Sequence, residues 1–165
     1  MHRESCIMKN DGITLVELMI VVAIIGIIMG IASLSMTEMS RTAKLNETRD
    51  MLLADIEEAK LKSISGVPNG IIIASATSYQ VVRLTDADGD FKRDATEVYA
   101  TLSTVTMPSG MTITAPAVGT EVWFDRKGIP KTSTWQFSNP SFTLSKDGVT
   151  REITISQTGR VKYEQ

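Results

Sequence analysis

Cysteine and histidine are nearly missing from this chain. The one cysteine, Cys6, and the one histidine, His2, both precede the long apolar block that follows Gly12. If the residues before that block are removed, the remaining chain has neither. That excludes internal disulfides, cysteine-ligated zinc and every histidine-dependent triad. The lack of cysteine leaves the redox compartment open, because oxidising compartments permit disulfides without requiring them. Asp125, Asp147 and Glu152 show no spacing that pairs them for general acid–base work, and no glycine-rich phosphate loop occurs. The expectation is a protein that is not an enzyme. Proline is missing between Ile13 and Val67, so nothing there breaks a helix. An excess of either charge is missing too: 17 Lys and Arg face 19 Asp and Glu, a net charge of −2. Such balance argues against a surface that binds nucleic acid throughout.

What the chain does have is the stretch Gly12 to Met36, GITLVELMIVVAIIGIIMGIASLSM, which carries no charge between Glu17 and Glu38. A helical bilayer span needs about 20 such residues. Glu17 is the exception, and a carboxylate in hydrocarbon costs about 2.5–3.5 kcal/mol on insertion scales, so it calls for a partner. A Glu that snorkels to the membrane interface is the alternative. A secretory signal would be cut after the apolar stretch, and Ala32-Ser33 imitates such a site, but the run exceeds the usual signal core of about 7–15 residues. Gly26 and Gly30 form a small-xxx-small pair that allows close helix approach, or are ordinary membrane-helix glycines.

From Thr37 to Ser65 the sequence turns polar and helical. Leu45, Leu52, Ile56, Ala59 and Ile64 form one stripe. Glu57 with Lys60, and Glu58 with Lys62, stand at spacings that let side chains meet. Span and amphipathic segment can be one helix of about 53 residues, roughly 80 Å long, stopped by Gly66-Val67-Pro68-Asn69-Gly70. Beyond it the chain reads as short strands: 71–74, 79–84, 98–102, 111–114, 122–124, 135–137, 142–144 and 153–155. Lys146-Asp147-Gly148 marks a hairpin. Trp123 and Trp135 are expected in the core, a partner-facing role being the alternative. At 165 residues one anchor plus one domain is the natural division: 1–12 a leader, 13–36 the membrane half of the helix, 37–65 its amphipathic half, and 66–165 a β domain.

Gly12-Ile13-Thr14-Leu15-Val16-Glu17-Leu18, with Ala23-Ile24-Ile25-Gly26-Ile27 after it, resembles the class III signal of type IV pilins and type II secretion pseudopilins. Asp86-Ala87-Asp88-Gly89-Asp90, Trp123-Phe124-Asp125-Arg126-Lys127-Gly128 and the segment from Ile153 to Lys162 narrow the resemblance to the GspH/FimT branch of minor pilins and pseudopilins. The resemblance implies an α+β, type IV pilin-like fold, a long N-terminal helix on an antiparallel, sandwich-like β domain. It implies cleavage by prepilin peptidase between Gly12 and Ile13, methylation of the new amino terminus, and pairing of Glu17 with the terminus of a neighbouring subunit. It also implies an inner-membrane, single-pass chain with its β domain outside the cytoplasm, joining a filament. Its partners would be other pilins or pseudopilins, the assembly platform and membrane lipid. The first mature residue would be Ile instead of the commoner Phe, and Asp11 stands where neutral or basic residues are usual. An anchored β domain that never assembles is a competing class.

Two constellations could carry chemistry. In Asp86–Glu97 the acids Asp86, Asp88, Asp90, Asp94 and Glu97 fall at positions 1, 3, 5, 9 and 12 of a calcium-loop spacing, so Ca²⁺ is the cofactor to test. Against it, position 6 is Phe91 instead of glycine, and Lys92 and Arg93 supply counter-charge. A solvated acidic loop is the favoured alternative. At the tail, Gly159-Arg160-Val161-Lys162 resembles the Gly-Arg-x-Arg motif by which some FimT-type minor pilins bind DNA, with Arg160 and Lys162 as the candidates. Lysine keeps the charge but loses the planar fork. From Glu121 onward seven Lys and Arg stand against five Asp and Glu, a slight excess that favours a plain terminal strand over DNA.

Overall fold

The structure, a computed structural model, describes residues 14–94 and 96–163, with the helical backbone alone over 31–37. The expected cleavage site, Gly12 and Ile13, lies outside the described residues. The chain divides into two units, Met1–Ser40 and Arg41–Gln165.

One helix, α1 (Leu15–Ser65), opens the fold. Thr14 caps it: its Oγ1 accepts the Glu17 backbone N–H at 3.2 Å, which satisfies one of the orphan donors of the first turn. Glu17 in the first turn and Lys62 in the last both suit the helix dipole. In the first unit the side chains from Leu15 to Met29 are exposed all round. Among the described residues no helix is long and apolar enough to cross a membrane. The described apolar stretch, 15–30, is shorter than the about 20 residues a span needs, and 13 and 31–36 of the expected span fall outside it.

In the second unit α1 presents Leu45, Leu52, Ile56 and Ala59 as a buried stripe, at spacings of seven, four and three residues that keep them on one helix face. Each large aliphatic side chain so buried stabilises by about 1.5–3 kcal/mol. Ile64, expected on the stripe, is 45% exposed; 3.6-residue periodicity carries the face to Ser63 instead. Buried Ser63 closes the helix by accepting the Asn69 N–H at 2.7 Å and donating to the Ala59 carbonyl at 2.8 Å. On the outer surface Lys62 pairs with Glu58 at 2.6 Å and Lys60 with Glu57 at 3.5 Å.

Among the described residues nine strands follow: β1 (Asn69–Ser75), β2 (Ser78–Thr85), β3 (Val98–Thr106), β4 (Met111–Ala115), β5 (Glu121–Phe124), β6 (Pro130–Lys131), β7 (Ser141–Lys146), β8 (Val149–Ile155) and β9 (Val161–Tyr163). They form two sheets, ordered β3-β2-β1-β5-β6 and β4-β7-β8-β9, with antiparallel pairing throughout. The helix stripe joins one core with Ile71, Ile73 and Tyr79 of the first sheet and Phe142, Leu144 and Ile153 of the second. The first sheet is buried on its other face too, where Ile72, Val82, Leu84 and Trp123 cluster with Trp135 against them. Burial on both faces explains why β1 reads Ile-Ile-Ile without alternation. At Asp147 and Gly148, φ is +49° and +84°, the left-handed pair that a two-residue hairpin requires. The expected strand over 135–137 is not formed. Trp135 takes φ +59° in a turn whose N–H bonds the Thr132 carbonyl at 3.0 Å, leaving an isolated Lys131–Phe137 bridge.

Besides the Ser63–Asn69 bond, a part-buried polar contact ties the helix to the first sheet. The Tyr79 hydroxyl donates to Asp55 Oδ2 at 2.5 Å. Burial first, then the hydrogen bond and charge of Asp55, hold the Tyr79 phenol well above its ordinary range. The folded state keeps this proton where the unfolded chain releases it. Its contribution is therefore complete below about pH 10 and declines above that by up to about 1.4 kcal/mol per pH unit. Tyr79→Phe should cost about 1–3 kcal/mol at neutral pH and flatten that part of the alkaline decline. Denaturant unfolding of the full chain in micelles, at about pH 7 and about pH 11, measures both.

Candidate functional site

Three places carry the residues singled out from sequence. The first is the start of α1. Glu17 is exposed there among Leu15, Leu18, Val21 and Ile24, all exposed as well. The capping partner Thr14 escaped sequence reasoning, although Thr14-x-x-Glu17 is the Ser/Thr-x-x-Glu signature of a helix start. The cap uses the Glu17 backbone N–H and does not involve its carboxylate. A carboxylate on an otherwise apolar helix surface suits ion pairing in a low-dielectric setting.

The second place is the connection between β2 and β3. Thr85 pairs with Val98 in the antiparallel ladder, so Asp86 leaves β2 opposite the point where Glu97 enters β3. Carboxylate oxygens of Asp86, Asp88 and Glu97 all lie within 4.8 Å of one another. Asp90 and Asp94, expected as further ligands, do not join this group. Asp90 accepts the Lys92 N–H at 2.8 Å and pairs with its ammonium at 3.2 Å. Asp94 Oδ1 accepts the Thr96 hydroxyl at 2.6 Å and the N–H groups of Thr96 and Glu97 at 2.7 and 3.2 Å. These bonds, led by the Thr96 hydroxyl, hold the Asp94 carboxyl below the usual carboxylate range. Sequence spacing located the acids but not the turns that decide which way each one faces.

Phe91, where a calcium loop prefers glycine, adopts φ +58°. It takes the left-handed conformation glycine would have supplied, at the cost that a bulky side chain incurs there. Asp86 offsets part of that cost by accepting the N–H groups of Gly89 and Phe91 at 2.8 and 3.2 Å. The Phe91 ring lies beneath the Arg126 guanidinium, 4.4 Å from its centroid, and Arg93 reaches Glu121 at 3.6 Å. The loop is thus docked on the β5–β6 connection. Trp123, fully buried, donates its indole N–H to the same Glu121 at 2.7 Å. Both tryptophans therefore belong to packing, Trp135 at the margin of the outer cluster.

The third place is the tail. Arg160 closes a turn, its N–H donating to Ser156 Oγ at 3.1 Å and its carbonyl accepting the Ser156 N–H at 2.9 Å. Lys162 lies in β9 opposite Thr154, and it shares a shallow depression with Glu152 and Tyr163. Both basic side chains are exposed, Arg160 in the turn just before β9 and Lys162 within it. A like-built turn at Asp125–Ile129, with the Gly128 N–H on the Asp125 carbonyl at 2.9 Å, backs onto this one. Gly159 has φ +77°, and a Cβ there would overlap the Gly128 carbonyl oxygen. The glycine of Gly159-Arg160 is accounted for by this close approach of two backbones.

Substitution separates the two halves of the tail motif. Gly159→Ala should destabilise the full chain by about 1–3 kcal/mol, from strain and overpacking together. Exposed Arg160→Ala should stay within about 0.5 kcal/mol. Denaturant midpoints of the two variants in micelles check the contrast.

Comparison with known proteins agrees with the sequence. The family model of the prokaryotic N-terminal methylation motif matches residues 7–33. No curated protein sequence matches the chain. Among solved structures, the chain is similar to the type IV minor pilin FimU of Pseudomonas aeruginosa (strain PAO1) in space group P21. That likeness covers 75% of this chain and 90% of FimU, at 16% identity and a TM-score of 0.55. A second crystal form of FimU, space group P65, gives 15% identity over 75% and 92% of the two chains, at 0.49. The chain thus carries a prokaryotic N-terminal methylation motif ahead of a helix and antiparallel β domain whose fold is similar to that of a type IV minor pilin.

Proposed function

We propose that the chain works as an assembling, low-copy subunit of a type IV pilus or type II secretion pseudopilus. The observation that carries this reading is the methylation motif over 7–33 set on a helix whose large apolar side chains, from Leu15 to Met29, are exposed among the described residues. A helix apolar on every side must be buried by something. Lipid does so before assembly, and neighbouring pilin helices do so afterwards.

In this reading prepilin peptidase cuts between Gly12 and Ile13 and the new terminus is methylated. Thr14 then starts the helix one residue into the mature chain, and Glu17 lies within the first turn. Pairing of its carboxylate with the terminal ammonium of an adjacent subunit would offset the desolvation of both charges and fix the axial register. The chain's membrane partners would be lipid and the inner-membrane platform, and its work mechanical instead of catalytic. Similarity over 75% of the chain to a type IV minor pilin supports the same role.

Mass spectrometry of the chain from cells with and without prepilin peptidase tests this. An N-methylated Ile13 terminus that depends on the peptidase is expected. A retained leader, or cleavage after Ala32, contradicts it. Glu17→Ala should leave cleavage intact while the chain is lost from sheared filaments; undiminished incorporation would remove Glu17 from the assembly step.

A further inference from the structure

Of the three acids gathered where β2 passes into β3, Glu97 differs from the others in its burial. It is 7% exposed. Its Oε1 accepts the Ala87 N–H at 3.1 Å, while its Oε2 is buried with no hydrogen-bond partner. A buried polar oxygen left unpaired costs about 1–3 kcal/mol, and more when charged. Among the described residues no Lys or Arg pairs with Asp86, Asp88 or Glu97: Lys92 is engaged by Asp90 and Arg93 by Glu121. Three carboxylates thus lie within 4.8 Å of one another with no Lys or Arg paired to them among the described residues, and Glu97 among them keeps one buried oxygen without a partner.

We propose that Asp86, Asp88 and Glu97 bind one calcium ion, which pins the mouth of the β2–β3 loop. The donors are all hard carboxylate oxygens, with no nitrogen or sulfur ligand at hand, which selects against zinc and copper. Calcium accepts six to eight oxygens in flexible geometry, so three carboxylates leave room for waters. Magnesium requires near-ideal octahedral geometry and gives up water reluctantly. The ladder pair Thr85–Val98 holds Asp86 and Glu97 opposite each other before any ion arrives, which lowers the ordering cost of binding. Asp88, exposed at the rim, completes the charge. Bound calcium satisfies Glu97 Oε2 and fixes the loop that Phe91 and Arg93 dock on the β5–β6 side. The site stands apart from the assembly reading, since it uses none of the helix.

The full chain, purified in detergent micelles and stripped with a chelator, is titrated with calcium chloride by calorimetry and followed by thermal unfolding. One ion per chain, with an affinity of about 10⁻⁴–10⁻³ M, and a raised Tm are expected. Asp88→Asn keeps the acceptor oxygen and should lose at least about tenfold in affinity, whereas Asp90→Asn should bind as the parent does. Glu97→Gln should raise the Tm of the calcium-free chain, because its amide can donate to the neighbouring carboxylates, and should abolish the calcium response. Absence of heat and of any Tm change up to about 10 mM calcium overturns the proposal. So does binding that survives Asp88→Asn unchanged.

Discussion

Everything in the second unit depends on one helix face. Leu45, Leu52, Ile56 and Ala59 are the surface on which the inner faces of both sheets meet. Neither sheet is wide enough to bury its own apolar side chains, and small sheets need a packed layer to be stable. Tyr79 and Asp55 tie the helix to the first sheet, and Arg151 to Asn46, at 3.0 Å, ties it to the second. The helix thus serves as a structural part of the β domain from Arg41 onward, and the compact unit begins inside it.

The same helix has the opposite problem at its other end. From Leu15 to Met29 its large apolar side chains are exposed among the described residues. One half is stable because the protein folds around it; in the proposed function the other gains that stability from lipid or from neighbouring helices. Glu17 and the Thr14 cap sit where those surroundings begin. Loops at the far side of the first sheet are built differently, with docked aromatic rings, Asp-capped turns and glycine–backbone contacts.

Much of this was legible in the sequence because periodicity is a local property. Alternation at Phe142-Thr143-Leu144 and Ile153-Thr154-Ile155, and helical spacing from Leu45 to Ala59, translate directly into faces. The failures occur where long-range packing decides. Ile64 fits the pattern approximately, but the buried position goes to Ser63, because closing the helix needs a polar group that reaches Asn69. Trp135-Gln136-Phe137 has strand composition, but Trp135 is drawn into a left-handed turn against the outer cluster. In the acidic loop spacing named five ligands, and the turns at Phe91 and Asp94 leave three together. The methylation motif was legible because a processing signal is read as linear sequence.

The division of α1 into a half covered by its own domain and a half covered by others is the claim most directly open to measurement. A photoreactive residue at Ile24, activated in the native membrane and mapped by mass spectrometry, reports what lies against that surface. Adducts to lipid or to the N-terminal helix of another pilin subunit are the expected result. Adducts to the chain's own β domain would contradict it.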